Sequence, residues 1–137
     1  MKIKKLLPYL IVFLIAFIAT PITGNLVIKK ANEEAKQLTQ NFHPNITYLS
    51  DGFYQGKFKA FNLITLSHVE FTIKNNKIEK LRFKKMVHTP GYLSKKDIEA
   101  KIKNTKHLEI DAISGATRTS NFAKAAIKNA ITRQNIK

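Results

Sequence analysis

"HVEFTIKNNKIEKLRF", residues 68–83, decides the fold, because two alternating runs of apolar and polar residues flank an Asn-Asn pair. A period of two places successive side chains on opposite faces of a strand. The apolar residues predicted to share the buried face are Val69, Phe71, Ile73, Leu81 and Phe83. Since Asn tolerates positive φ, Asn75 and Asn76 are predicted to form a tight turn between two antiparallel strands that share one wet face.

A third strand is predicted upstream, in "DGFYQGKFKAF" (51–61), where the same period of two appears. Its wet face holds Gln55, Lys57 and Lys59, and its buried face holds Tyr54, Gly56, Phe58 and Ala60. Tyr54 is therefore predicted to be a core residue. Three such strands in sequence predict an antiparallel meander.

Helices are predicted after the sheet. "HTPGY" (88–92) breaks the alternation and predicts a loop, and Ser94 and Asp97 have the spacing of a capping box. An apolar stripe at helical spacing follows, with Lys124 and Lys128 opposite, and it comprises Phe122, Ala123, Ala126, Ile127, Ala130 and Ile131. The predicted fold class is α+β: an antiparallel sheet meander covered by helices, preceded by one N-terminal transmembrane helix.

The N-terminal segment runs without a charge from Leu6 to Ile28, and these 23 residues exceed the ~20 that cross a bilayer core. Three lysines precede the run and two follow it, which predicts a cytoplasmic N-terminus and an extracytoplasmic domain. The strongly apolar part, Leu6 to Ala19, also fits a cleaved signal peptide, but no small-x-small site follows it, which favours an uncleaved anchor. The predicted segments are a membrane anchor or signal segment at 1–28, a juxtamembrane stalk at 29–47 and a domain at 48–137.

The composition of the chain excludes several kinds of functional site and partner. The 137 residues include no Cys, which excludes disulfides, thiolate metal sites and c-type haem attachment. The histidines lack metal-ligand spacing, so no metal site is predicted. A net charge of +15 favours anionic partners. Because the basic residues are mostly Lys and are spread along the chain, nucleic acid is not the predicted partner.

The stretch "DAISGATRTS" (111–120) supports two interpretations. In the first, it is only the start of a helix, capped by Thr119 or Ser120. In the second, the helix N-terminus binds phosphate: Gly115 allows a close backbone approach, Arg118 adds charge, and Thr117 lies just upstream of the helix. A phosphorylated ligand would then be held non-covalently or through the Thr117 hydroxyl.

Asp111-Ala-Ile-Ser-Gly-Ala-Thr117 resembles the D-x-x-S-G-A-T flavinylation motif of the FMN-binding domain family, which includes the flavin-carrying subunits of sodium-pumping NADH:quinone oxidoreductase. The resemblance implies that Thr117 carries FMN through a phosphoester bond. It also implies that a flavin transferase, with FAD as donor, installs the FMN on the outer side of the membrane. The residues that this transferase would recognise or that would bind the cofactor here are Asp111, Ser114, Gly115, Ala116 and Arg118.

Three further stretches strengthen the resemblance, which runs from about residue 48 to 133. "DGFYQG" (51–56) resembles the D-G-x-Y-x-G opening strand of the family, "IEKLRF" (78–83) resembles its next strand, and "HTPGY" resembles its T-P-G loop. The resemblance places Thr89, Pro90, Gly91 and Tyr92 at the cofactor. The family loop usually reads E-T-P-G-L-G, so His88 replaces an acid. Tyr92 either stacks on the flavin ring or packs in the loop, and His88 is a candidate hydrogen-bond partner of the flavin.

The resulting functional prediction is an electron carrier that relays electrons between redox partner proteins at the membrane, with no catalytic residue of its own. An ion-pumping or respiratory complex and an extracellular electron-transfer chain are both candidate contexts. Two alternatives stay open. One is a cofactor-free, exported basic module that binds anionic lipid or wall polymer, and the other is non-covalent FMN binding in the same pocket.

Overall fold

The computed structural model describes residues 3–87, 94–103, 108 and 117–134. Contacts within the chain divide it into two units, Met1–Ala31 and Asn32–Lys137. The elements are α1 (Ile3–Thr39), a 3₁₀ turn (Ile46–Tyr48), β1 (Gly52–Ala60), β2 (Ile64–Lys74), β3 (Lys77–Met86), α2 (Lys95–Lys103) and α3 (Thr117–Gln134). The α+β class predicted from the sequence is confirmed.

The first unit is the apolar part of α1. From Leu6 onward this helix is long and apolar enough to cross a membrane, with a mean hydropathy of 2.3 over its most apolar window. A signal sequence near an N-terminus has the same length and composition, so both interpretations of the N-terminal segment fit the helix. The helix ends at Thr39, ahead of Pro44.

The three strands form one antiparallel sheet in the order β1-β2-β3, which is the predicted meander. Gly56 pairs with Val69, and Val69 pairs with Phe83. The face that was predicted to be buried is buried, with Tyr54, Phe58, Val69, Phe71, Ile73, Leu81 and Phe83 in the core. Tyr54 is a core residue, and its hydroxyl donates to the Ser50 carbonyl at 2.7 Å. A period of two was thus sufficient to assign the faces of all three strands.

The β2–β3 turn has the conformation that the Asn-Asn pair predicts, since Asn75 and Asn76 have φ angles of 53° and 59°. Both angles lie in the left-handed region, where glycine has no steric penalty. Asn76→Gly is therefore expected to raise the free energy of unfolding by roughly 0.5 kcal/mol, measured by urea denaturation of the full chain in detergent. The control is Asn76→Ala. Because alanine has a Cβ but no turn-forming amide, this variant should lower the free energy of unfolding. A lower value for Asn76→Gly would contradict the prediction.

Helix α3 packs on the buried face of the sheet and runs antiparallel to β1. Gly52 lies near Gln134, Gly56 lies against Ala126 and Ala130, and the Phe58 ring stacks on Phe122 with centroids 5.7 Å apart. The glycine at position 56 allows the close approach, because a Cβ there would meet the helix backbone. The apolar stripe predicted for this helix is buried as predicted.

Helix α2 covers the free edge of β3. The Glu99 carboxylate accepts a hydrogen bond from the Phe83 backbone N–H at 2.7 Å, which satisfies a donor of the edge strand. The predicted capping box is present: the Asp97 carboxylate accepts from the Ser94 N–H at 2.9 Å, and the Asp97 N–H donates to Ser94 Oγ at 3.3 Å. The Ser94 hydroxyl also donates to the Asp97 carboxylate at 2.7 Å, and this bond, together with the one from the Ser94 N–H, lowers the pKa of the Asp97 carboxyl.

The last eight residues of α1, Asn32–Thr39, belong to the second unit and run parallel to α3. Asn121 Nδ2 donates to Asn32 Oδ1 at 2.9 Å, and Lys128 Nζ donates to the Leu38 carbonyl at 2.6 Å. Lys128 lies opposite the apolar stripe, as predicted, but it is half-buried, and its ammonium group also lies 5.9 Å from the centre of the Phe42 ring. The predicted boundaries at residues 28 and 47 stay predictions.

These contacts give the second unit two distinguishable ends. We name one of them the Asn32 end. Because α3 is antiparallel to β1 and parallel to residues 32–39, this end holds Asn32, the first turn of α3 (117–121) and the tip of the β1–β2 hairpin (61–64). The opposite end holds Tyr48, Asp51 and the β2–β3 turn. There the Asp51 carboxylate accepts from the Asn75 N–H at 2.9 and 3.1 Å.

Candidate functional site

Two of the predicted site residues lie in the described part of the chain. Thr117 and Arg118 are the first two residues of α3, and both are exposed. Thr117 is the first helical residue instead of the one before the helix. The remaining predicted site residues and His88 lie outside the described residues: Thr89, Pro90, Gly91, Tyr92, Asp111, Ser114, Gly115 and Ala116.

The hydroxyl side chains at the start of α3 differ in their exposure. Thr117 is exposed, whereas Thr119 and Ser120 have exposed fractions of only 1% and 0%. The prediction that Thr119 or Ser120 caps the helix is wrong, because both lie inside its first turn. They share the buried face with Phe122 and Ala123, three residues further on. Among the described hydroxyls of this turn, Thr117 alone is accessible to another molecule.

The electrostatic environment of Thr117 favours an anion. The backbone N–H groups of the first turn and the dipole of the 18-residue helix place partial positive charge at its start. No acidic residue lies in the first turn, and Arg118 adds a full positive charge. A negatively charged phosphate on the Thr117 oxygen therefore fits this position.

The start of α3 is held in place by its second turn. The hydrogen bond from Asn121 to Asn32 and the stacking of Phe122 on Phe58 lie one turn after Thr117. Both partners belong to other elements of the same unit, so the first turn has a fixed position against the sheet. A group attached to Thr117 would be carried on a packed helix and not on a free loop.

The comparison with protein families identifies the region that contains this helix. The family model for the FMN-binding domain matches residues 67–132, from β2 into the last turns of α3. These residues belong to the FMN-binding domain family. The match supports FMN as the cofactor and a flavin-binding electron carrier as the role. No match was found among curated proteins or among solved structures.

The family match does not cover one of the predicted resemblances. It begins at residue 67, so the D-G-x-Y-x-G resemblance of residues 51–56 stays a prediction. Within the FMN-binding domain, Thr117 and Arg118 lie inside the matched residues. The phosphate of FMN fits the exposed hydroxyl and the positive start of α3 described above.

A polar cluster on the wet face of the sheet was not predicted. Gln55 Nε2 lies 2.9 Å from His68 Nε2 and 3.0 Å from Glu70 Oε1, and Lys84 Nζ lies 2.8 Å from the same Glu70 oxygen. With the amide nitrogen as donor, His68 Nε2 accepts, which requires a neutral ring. The alternation placed these residues on the wet face, but only the strand register brings them together.

Burial, hydrogen bonding and nearby charges in this cluster shift two pKa values downward. Partial burial and the nearby Lys57 lower the pKa of His68 from its ordinary value of 6.5, although Glu70 opposes the shift. The hydrogen bond from Lys84 lowers the pKa of Glu70 from 4.5. The folded chain therefore binds fewer protons than the unfolded chain at both residues as the pH falls below these ordinary values.

Acidification is expected to destabilise the domain through this cluster. His68 begins to lower the free energy of unfolding as the pH falls below about 6.5, where the unfolded chain takes up a proton first, and Glu70 does so below about 4.5. Urea denaturation across the range from about pH 7.5 to 5.5 should give a decreasing free energy of unfolding. His68→Gln should flatten that decrease, and an unchanged slope in this variant would contradict the prediction.

Two clefts lie on the second unit, and neither is lined by Thr117 or Arg118. One, of about 340 Å³, is lined by Phe53, Glu70, Phe71, Thr72, Lys80, Leu81, Arg82 and Lys103. The other, of about 410 Å³, is lined by Glu34, Leu38, Lys57, Phe58, Lys59, Asn62, Asn129 and Arg133. In the described parts of the chain, no three His, Asp or Glu residues group closely enough to hold a metal ion.

Proposed function

We propose that this chain is a membrane-anchored, extracytoplasmic electron carrier that holds FMN through a phosphoester bond to Thr117. The observation that carries the proposal is the exposed Thr117 at the start of α3, inside a region that belongs to the FMN-binding domain family. The apolar helix and the lysines before it support the anchor and its orientation. The motif at 111–117 supports modification by a flavin transferase.

The attachment is a phosphoryl transfer from FAD. The Thr117 hydroxyl oxygen attacks the FMN phosphorus, the bond between the two phosphates of FAD breaks, and AMP leaves with the bridging oxygen. The hydroxyl proton passes to a base of the transferase, so the chain gains the mass of FMN less one water. The positive start of α3 and Arg118 stabilise the negative phosphate that stays on the chain.

The flavin supplies reversible one- or two-electron chemistry, and the chain supplies the tether and the electrostatics. A net charge of +15 stabilises the more negative redox state of a bound group, which raises its reduction potential relative to a neutral protein. The same charge attracts acidic redox partners. The covalent bond prevents loss of the cofactor outside the cell, where it could not easily be replaced.

The test is the intact mass of the full-length chain after coexpression with an exported flavin transferase. We expect the chain to gain the mass of FMN less water and to show flavin fluorescence that persists on a denaturing gel. Colour that denaturation removes would instead establish non-covalent FMN. A colourless, unmodified chain, with the transferase active on a control substrate, would overturn the proposal in favour of a cofactor-free basic module that binds anionic lipid or wall polymer.

A further inference from the structure

The tip of the β1–β2 hairpin presents apolar side chains to solvent. Phe61, Leu63 and Ile64 have exposed fractions of 47%, 83% and 50%. The turn is closed by a hydrogen bond from the Leu63 N–H to the Ala60 carbonyl at 3.0 Å. Phe61 has a φ of 52°, in a region that aromatic residues rarely occupy. An ordered turn of this kind, with three exposed apolar side chains, indicates a contact surface.

A cleft with basic side chains in its lining reaches this hairpin tip. The 410 Å³ cleft includes Asn62 of the tip itself, and Lys57, Lys59 and Arg133 line it. Glu34 is the one acidic residue of that lining, so the cleft has a net positive charge. Apolar side chains near Lys57 and Lys59 match the chemistry of an anionic lipid surface, where acyl chains lie beneath phosphates.

The hairpin tip also lies at the end of the domain to which the apolar helix is joined. Asn121, in the second turn of α3, donates to Asn32, and the antiparallel packing of α3 on β1 brings the hairpin tip to this same Asn32 end. Asn32 follows Ile28, the last residue of the uncharged run, by four positions. Four residues span at most about 14 Å, whatever their conformation. A bilayer that holds the uncharged run is therefore within reach of the Asn32 end.

We infer that the hairpin tip inserts into the outer surface of the bilayer that holds the N-terminal helix. Phe61, Leu63 and Ile64 enter the boundary between headgroups and acyl chains, and Lys57 and Lys59 contact anionic headgroup phosphates. This inference rests on the membrane anchoring in the proposed function. Since Thr117 lies at the same end, the contact would hold the attachment site beside the membrane surface.

A fluorescence experiment on the full chain tests this contact, because the chain contains no Trp. Leu63→Trp places a single indole at the hairpin tip, and Tyr48→Trp places one at the opposite end, where Tyr48 is 86% exposed. Each variant is reconstituted into phosphatidylcholine vesicles that contain phosphatidylglycerol, with and without lipids brominated near the start of the acyl chains. Co-flotation of protein and vesicles reports the N-terminal anchor separately.

We expect Leu63→Trp to emit at shorter wavelength and to have roughly half of its emission quenched by the brominated lipids, whereas Tyr48→Trp keeps its emission. Adding Lys57→Glu and Lys59→Glu to Leu63→Trp, or omitting phosphatidylglycerol, should reduce that quenching. If Leu63→Trp is quenched equally in vesicles with and without phosphatidylglycerol, the basic side chains of the cleft have no role in the lipid contact.

Two outcomes separate this inference from the proposed function. If the chain floats with the vesicles but brominated lipids do not quench Leu63→Trp, the lipid contact is overturned while the anchor stands. A shift to shorter wavelength without such quenching would assign the hairpin tip to a second copy of the chain or another protein. If the chain does not float with the vesicles, the anchoring and the inference are overturned together.

Discussion

Thr117→Ala is expected to leave the full-length chain at its unmodified mass after coexpression with an exported flavin transferase, whereas the wild-type chain gains FMN less water. The reason is that the hydroxyl oxygen of residue 117 is the atom that forms the phosphoester bond. Thr117 is exposed, so its replacement removes no core contact, and the fold should be retained. Far-UV circular dichroism of the same samples verifies this retention.

Matched controls come from the same helical turn. Thr117→Ser keeps a hydroxyl at the attachment position and should keep the mass gain. Thr119→Ala removes a hydroxyl that is buried and should also keep it. If Thr117→Ala still gains the mass of FMN less water, or if Thr119→Ala loses it in a folded chain, the assignment of Thr117 as the attachment residue is wrong.

Gly56→Ala is expected to lower the free energy of unfolding by about 3 kcal/mol, the largest stability effect among the described glycines. A Cβ at this position would meet the Ala126 carbonyl oxygen and would lie 2.5 Å from the Ala130 nitrogen and 2.7 Å from the Ala130 Cβ. Because two of these atoms belong to the helix backbone, rotation of a side chain cannot relieve the overlap. Helix α3 would have to move away from β1. Urea denaturation in detergent measures the loss.

Two variants test this steric explanation. Gly24→Ala makes the same chemical change where no atom lies within 4 Å, and it should cause no loss of stability. Ala130→Gly in the Gly56→Ala background removes only the overlap between the two Cβ atoms, so it should not restore the wild-type stability. Full restoration by Ala130→Gly, or a loss below about 1 kcal/mol in Gly56→Ala, would show that the backbone contact does not limit this position.

The period of two predicted the buried face of each strand, because alternation alone determines which side chains share a face. It did not predict the register. The pairing of Gly56 with Val69 and of Val69 with Phe83 depends on irregularities between Phe58 and Lys59 and between His68 and Val69, which have no sequence signal. For this reason the cluster of Gln55, His68 and Glu70 was missed. A register one residue away would have separated them.

Local sequence patterns predicted only part of the structure of α3, because its other features depend on tertiary contacts. The apolar stripe predicted its buried face, but the hydroxyls of Thr119 and Ser120 suggested a cap and moved the predicted start by three or four residues. Both side chains are buried, which a preference for caps does not reveal. The hydrogen bond between Asn32 and Asn121 joins residues 89 positions apart, and no periodicity predicts such a contact.

At the candidate site, the predicted helix start made the Thr117 hydroxyl one candidate for holding a phosphate, and only the resemblance to a motif made Thr117 the FMN attachment residue. The structure adds its exposure and the absence of acidic residues from the first turn of its helix, both of which depend on how α3 lies on the sheet. The exposed apolar tip at Phe61, Leu63 and Ile64 was not predicted either. Isolated apolar residues near a turn are common, and only their exposed fractions distinguish these from core residues.

The packing of Asn32–Thr39 along α3 has a consequence for proteolytic shedding of the domain. Ala35, Thr39 and Ile46 are buried, so these residues are part of the folded unit although they precede the sheet. A protease that cut near Ile28 would release a domain that keeps these residues, soluble and folded. A cut between Thr39 and Ile46 would remove the partners of Asn121 and Lys128 and expose apolar surface on α3. In the proposed membrane-anchored form, release of a folded domain is therefore confined to cleavage at a few peptide bonds before Asn32.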